Sequence, residues 1–133
     1  MLDFLKCAQA SNEVMSDFQQ KAAAEDHYYA ALDLFSNGNH EEAIREYKAA
    51  LDIDPAFTDA MHGLCRAHQD LNQLDEAIAV ANRIAALDAN DILAHTSLSI
   101  LYQKKGMVPE AEAEANKARV LGWKQQLKEQ KNK

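Results

Sequence analysis

Three side chains that can bind a metal ion stand close together near the middle of the sequence. His62, Cys65 and His68 are separated by steps of three residues, and this spacing can present imidazole and thiolate ligands to zinc from one helix. The sequence contains no phosphate-binding loop, nucleotide fingerprint or Ser-His-Asp arrangement. These three residues, which we call the metal motif, are therefore the main candidates for chemistry. Whether they can share one metal ion depends on which way each side chain faces.

Paired carboxylates are the other candidates for chemistry. Glu41-Glu42 and Asp75-Glu76 each stand at the start of a predicted helix, where negative charge is favoured by the helix dipole. That position explains the pairs without catalysis. We expect no catalytic residue, no cofactor and no enzymatic activity.

The elements that carry these residues are predicted to be helices. The chain has 133 residues, enough for one domain, with 4 Gly, 2 Pro and 47% hydrophobic residues. Ala, Leu, Glu, Lys and Gln are abundant and favour helix, and runs of β-branched residues are absent. No apolar stretch is long enough to span a membrane. The first residues lack the features of a secretory signal. The two cysteines are too few for a disulfide framework, and a cytoplasmic location is expected.

The net charge of −7 is unevenly distributed along the chain. Residues 24–57 have eight acidic and two basic side chains, and residues 58–91 have six and two. Residues 92–125 are positive by two charges, and residues 126–133 by two more. This distribution does not favour nucleic acid, and it suits either head-to-tail contacts or an ordinary solvated surface.

A period of 34 residues runs through most of the sequence. The dipeptide Glu-Ala begins at positions 42, 76 and 110, and Gly38, Asn72 and Gly106 precede it at a fixed distance. Gly adopts the left-handed conformation freely, and Asn tolerates it. Within each unit the apolar residues recur at steps of three and four, which indicates two amphipathic helices joined by a short turn.

This pattern resembles the tetratricopeptide repeat family, with units at 24–57, 58–91 and 92–125. The family's first-helix slots hold His27-Ala30-Ala31, Met61-Leu64-Cys65 and His95-Leu98-Ser99, and Ala43-Tyr47-Ala50 fits the second-helix pattern fully. Ala81 and Ala115 replace the aromatic residue in the later units, and Ala89 and Trp123 replace Pro55. The resemblance implies an all-α solenoid of three helix-turn-helix hairpins in a right-handed superhelix, with capping helices at both ends.

The repeat also assigns a direction to each residue of the metal motif. Cys65 falls in the small, packed slot, His68 in the inward aromatic slot, and His62 on the groove side. The three side chains therefore diverge, and no metal site is expected.

Residues 1–23 are predicted to form an N-terminal amphipathic helix, covering about residues 2–20. It is either fused to the first helix of unit one or interrupted near Ser11-Asn12, both good N-cap residues. Its apolar stripe caps unit one, or fills the groove, or docks on another copy or a partner. A membrane-surface helix is disfavoured because the polar face is not basic.

Residues 126–133 are predicted to form a polar helical tail. Val120, Trp123 and Leu127 share one helix face, which indicates a C-terminal cap. Gly122 either ends the helix of unit three or lies inside a longer one.

The resemblance implies a concave groove lined by the first helices. It assigns to the groove Tyr28, Tyr29, Leu32, His62, Arg66, Leu93, Ser97 and Ile100, together with Glu25, Phe35, Asp59, Gly63, Gln69, Thr96 and Gln103. Gly63, in mid-helix, serves either close approach of a ligand backbone or tight helix packing.

Some family members clamp a C-terminal carboxylate with lysines, asparagines and an arginine. The matching positions here are Tyr28, Leu32, Gly63, Leu93 and Ser97, which lack those side chains, so this activity is not expected. The implied function is a scaffold that binds a peptide segment or helix of a partner protein. The alternative is a homo-oligomerising module, possible as a dimer through residues 1–20.

Overall fold

The computed structural model describes residues 16–132, and these form six α-helices. In chain order the helices are α1 (Asp17–Ser36), α2 (His40–Ile53), α3 (Thr58–Asp70), α4 (Leu74–Leu87), α5 (Ile92–Lys104) and α6 (Val108–Lys131). Each helix packs mainly against its neighbours in sequence, and no strand occurs within residues 16–132. The predicted all-α solenoid of helical hairpins is confirmed.

Each hairpin turns through a residue in the left-handed conformation. Gly38, Asn72 and Gly106 have φ angles of 83°, 60° and 77°, as the 34-residue spacing predicts. Asn72 adopts at some cost the conformation that glycine adopts freely. Each turn is closed by the same 2.8 Å hydrogen bond from the following amide to a carbonyl in the preceding helix, which pairs Asn39 with Leu34, Gln73 with His68 and Met107 with Tyr102.

The hairpins are joined to one another by a second recurring turn. The carboxylate of Asp54 accepts a hydrogen bond from the Ala56 amide at 3.2 Å, and that of Asp88 accepts one from the Asn90 amide at 3.0 Å. This Asx turn needs no proline. The replacement of Pro55 by Ala89 therefore leaves the connection unchanged.

Small side chains allow the helices to approach closely. Alanines occupy many fully buried positions, and the largest fully buried side chains are Tyr47, Met61, Ile84, Leu98 and Leu101. Every hairpin contributes to this continuous core, so that each one covers the apolar face of the next.

The first and last described helices both extend beyond their repeat units. Ser16 has an extended backbone and caps α1, and the Gln19 side chain completes the capping box. Helix α1 therefore begins at Asp17, so that the first helix of unit one extends past residue 24 toward the N-terminus, and a helix over residues 2–20 would not run unbroken through Ser16. The rest of that prediction falls on residues 1–15, outside the described residues. At the other end, α6 continues through Gly122 to Lys131 as one helix.

The helices described between residues 16 and 132 include none with the length and apolar character required to cross a membrane.

Candidate functional site

The first helices of the three hairpins enclose a groove of about 320 Å³. It is mainly apolar, and α5 contributes Leu93 to one side of it. By the groove we mean the surface lined by Tyr28, Leu32, Phe35, Tyr47, Asp59, His62, Gly63, Arg66 and Leu93. Five of the eight principal groove residues predicted from the sequence therefore come together, namely Tyr28, Leu32, His62, Arg66 and Leu93.

Tyr29, Ser97 and Ile100 do not line this cavity, and neither do Glu25, Gln69, Thr96 and Gln103. Tyr29 and Ile100 are exposed, with 60% and 41% of their surface accessible, and Ser97 is half-buried. Tyr29 follows Tyr28 directly, and adjacent residues point about 100° apart around a helix. Tyr28 therefore faces the groove, whereas Tyr29 faces solvent.

The floor of the groove is an aromatic cluster that sequence reasoning assigned only in part. Tyr28 lies with its ring centre 6.1 Å from that of Tyr47 and 5.1 Å from that of Phe57. Tyr47 belongs to a second helix and is 1% exposed. The signal that could have placed it is Gly63, since a glycine in mid-helix leaves room for a large side chain opposite.

Gly63 makes room for Tyr47. A Cβ atom built at position 63 would lie 2.4 Å from the Cε1 and Cζ atoms of the Tyr47 ring, far inside van der Waals contact. Of the two interpretations of this glycine, tight helix packing is the one supported by the geometry.

Both groove phenols stay protonated at neutral pH. Burial raises the pKa of Tyr28, and the nearby Asp59 carboxylate and Tyr29 raise it further. Burial also raises the pKa of Tyr47, with a smaller contribution from Tyr28. The Tyr28 hydroxyl can therefore donate a hydrogen bond to an acceptor in the groove.

Arg66 is the cation at the edge of the groove. Its Nε donates to the Asp70 carboxylate at 3.3 Å one helical turn away, and its side chain is 66% exposed. An exposed pair of this kind contributes little to stability. The guanidinium can therefore exchange Asp70 for a carboxylate on a ligand at small cost.

His62 forms part of the groove wall and also joins two hairpins. Its Nε2 lies 3.0 Å from the carboxylate of Asp91, which in turn accepts from the Ala94 amide at 3.0 Å and caps α5. The imidazole therefore holds α3 against the start of α5. Sequence reasoning placed His62 in the groove but did not identify this partner.

The members of the metal motif bind different neighbours. The Cys65 thiol is buried and points at the Ala77 carbonyl at 3.4 Å, and burial raises its pKa to about 11. His68 Nδ1 lies 2.7 Å from the Gln73 side-chain oxygen. Within residues 16–132 no three His, Cys, Asp or Glu side chains are grouped so as to hold a metal ion.

Stacked hairpins with a lined groove define an α-solenoid repeat protein. Residues 34–101 match the family model described as tetratricopeptide repeat. This is just over half of the chain, which therefore belongs to the tetratricopeptide repeat family, and the resemblance seen in the sequence is confirmed. No curated protein sequence matches the chain significantly.

Solved structures of this family share the fold. MamA is 23% identical with a TM-score of 0.76, and the match covers 77% of this chain and 60% of that one. This chain therefore spans less than two thirds of the MamA structure. The Yersinia enterocolitica type III secretion chaperone SycD, in complex with a peptide of the translocator YopD, is 25% identical with a TM-score of 0.70, covering 73% of this chain and 74% of that one. The second repeat domain of Spaghetti (RPAP3), bound to the HSP90 peptide SRMEEVD, is 20% identical with a TM-score of 0.72, covering 77% and 95%.

Proposed function

We propose that this protein is a binding module that holds a segment of a partner protein in the groove, without catalysing a reaction. The observation that carries the proposal is an apolar pocket with an aromatic floor and an exposed arginine at its edge. Tyrosine and arginine are the residue types most enriched among binding hot spots. The SycD complex, in which a similar fold holds a peptide, supports the same role.

The chemistry of the groove defines the segment. Tyr28, Leu32 and Leu93 offer apolar surface, and Arg66 offers one positive charge. A short amphipathic helix or an extended segment with an apolar anchor and one carboxylate matches this surface. The five clamp positions carry no lysine, asparagine or arginine, so we do not propose the carboxylate clamp.

The state of Cys65 supports a binding role without a cysteine nucleophile. It is a free, buried thiol whose pKa is raised by burial to about 11, so that it is a poor nucleophile at neutral pH.

The groove can be tested with peptides selected from a random display library on the wild-type protein. We expect the selected peptides to share an apolar residue and a carboxylate. Arg66→Ala and Tyr28→Ala should each weaken their affinity by about tenfold or more in fluorescence anisotropy, the effect of losing one hot spot.

Tyr29→Ala is the matched control, because Tyr29 is the same residue type beside Tyr28 but outside the groove. Its affinity should stay at the wild-type value. Arg66 is exposed, so Arg66→Ala remains informative if Tyr28→Ala lowers the folded fraction measured by circular dichroism. If Arg66→Ala bound the carboxylate-bearing peptides as tightly as the wild type does, the binding site would not be the groove.

A second candidate function is self-assembly through residues 1–20. The specific observation in its favour is Phe18, which is 83% exposed near the start of α1. An aromatic side chain exposed in this way is available for a contact with another chain.

A further inference from the structure

The last helix carries an apolar stripe that faces solvent. Val120, Trp123 and Leu127 follow one another along α6 at steps of three and four, and they are 49%, 66% and 49% exposed. The helix has 24 residues, whereas α2 and α4 have 14 each, so that α6 extends well past its hairpin. We call these three residues the α6 stripe. The N-terminal end of the stripe borders a mainly apolar cavity of about 460 Å³, which Val120 helps to line.

Positive charge surrounds the α6 stripe. Residues 117–131 contain five basic side chains and one acidic side chain, Glu129. The basic residues are Lys117, Arg119, Lys124, Lys128 and Lys131, of which Lys117 is already paired with Glu114 at 3.1 Å. The surface is therefore apolar along its centre and basic along its edges, which favours an acidic partner with apolar side chains.

The first helix carries the complementary surface. Phe18, Tyr29 and Leu32 are exposed on α1 and form what we call the α1 stripe. Residues 17–33 contain four acidic side chains and one basic side chain, Lys21. The acidic residues are Asp17, Glu25, Asp26 and Asp33.

The two stripes cannot meet within one molecule. Helix α1 packs against α2 and α3, whereas α6 packs against α5, so that the two helices lie at opposite ends of the solenoid. We propose that the α6 stripe of one copy docks on the α1 stripe of a second copy, with basic side chains against acidic ones. The partner is a second copy because this chain itself presents the required acidic and apolar surface.

This inference rests on the second candidate function and goes beyond it by identifying the surface that receives α1. Such a contact joins two different surfaces, so it either forms an open chain of molecules or closes when two copies exchange both contacts. The α6 stripe lies outside the groove, whereas Leu32 of the α1 stripe lines one edge of it.

The test is sedimentation velocity of the full chain over a range of concentrations at low salt. We expect mass to increase with concentration and the association to weaken as sodium chloride screens the charges. Trp123→Glu and Phe18→Glu should each weaken self-association by about tenfold or more, as for loss of an interface anchor. Ile100→Glu is the matched control, since Ile100 is an exposed apolar residue of α5 outside both stripes.

Mixing the two variants distinguishes this contact from other dimers. A Trp123→Glu chain keeps its α1 stripe, and a Phe18→Glu chain keeps its α6 stripe, so that an equimolar mixture should associate more tightly than either variant alone. A dimer built on one surface shared by both copies would not be restored by mixing.

Several outcomes overturn the inference, and they are distinguishable. If Phe18→Glu lost association while Trp123→Glu kept it in full, self-assembly would stand, but α6 would not be the surface that binds α1. Loss in Ile100→Glu would move the contact to another face. A wild-type chain that stays monomeric at about millimolar concentration would remove both self-assembly and this contact, since specific interfaces bind more tightly than that.

Discussion

Replacing Gly63 with alanine is expected to destabilise the protein by about 1–3 kcal/mol, the usual cost of overpacking a core. The added Cβ would lie 2.4 Å from the ring of Tyr47, which is fully buried between α2 and α3. Alanine is the better helix former by about 1 kcal/mol, so propensity alone predicts the opposite sign. Urea denaturation followed by circular dichroism measures the change in the free energy of unfolding.

A double-mutant cycle isolates the cause. In a Tyr47→Leu background the ring is gone, and Gly63→Ala should then be neutral or stabilise by up to about 1 kcal/mol. Gly122→Ala is the control, because Gly122 lies inside α6 and a Cβ added there would meet nothing within 4 Å. It should stabilise slightly in both backgrounds. The explanation fails if Gly63→Ala has the same effect with and without the Tyr47 ring.

The repeat architecture could be predicted because its signals are local and occur three times. The left-handed turns at Gly38, Asn72 and Gly106 each depend on one residue type and its distance from a helical stripe. Asn72 is the strongest case, since only its place in the 34-residue period marks it as equivalent to the glycines. The family fold follows from these signals together with the packed small residues.

The start of α1 shows a local signal that outweighs the apolar pattern running across it. Ser16 followed three residues later by Gln19 is a capping box, and the structure uses both of its hydrogen bonds. The apolar spacing across residues 2–20 indicates instead one continuous helix. An N-cap fixes where the following helix starts whatever apolar pattern continues through it, because the capping residue itself is not helical.

The groove could be predicted only in outline. The repeat assigns whole helices to a surface, and Tyr28, Leu32 and Arg66 from these helices line one cavity. It does not resolve neighbouring positions on a helix, and it therefore includes Tyr29 although that side chain faces solvent. It omits Tyr47 because Tyr47 reaches the groove from a second helix, through the space left by Gly63.

A buried ion pair in the last hairpin holds His95 in place, and the repeat pattern alone did not predict it. His95 Nδ1 lies 2.6 Å from a Glu114 carboxylate oxygen, and Nε2 lies 2.8 Å from the Ala89 carbonyl. Because both neighbours accept hydrogen bonds, both ring nitrogens must carry protons while Glu114 is ionised. Burial lowers the pKa of His95, but the hydrogen bonds to Glu114 and Ala89 outweigh burial and raise it.

The pKa of the Glu114 carboxyl shifts in the opposite direction to that of His95. Burial raises the pKa of Glu114, but hydrogen bonds from His95 and Lys117 outweigh burial and lower it below the ordinary value of 4.5. Stabilisation through His95 is complete below 6.5, its ordinary pKa, and is lost as pH rises through the folded value. Stabilisation through Glu114 is complete above 4.5 and is lost as pH falls through the folded value. The pair therefore contributes most between about pH 4.5 and 6.5.

Glu114→Gln should consequently lower the free energy of unfolding by about 2 kcal/mol near pH 5.5, as expected for a hydrogen bond between charged groups. Near pH 9 the loss should shrink to less than half, because neutral His95 can accept from the glutamine amide and still donate to Ala89.

The matched control is Glu46→Gln. Glu46 pairs with His27 at the same 19-residue separation, but the two side chains are 35% and 41% exposed, so this substitution should cost less than about 1 kcal/mol. Denaturant titrations at the two pH values compare all three proteins, and a loss in Glu114→Gln that is as large at pH 9 as at pH 5.5 would show that His95 is not held as an imidazolium.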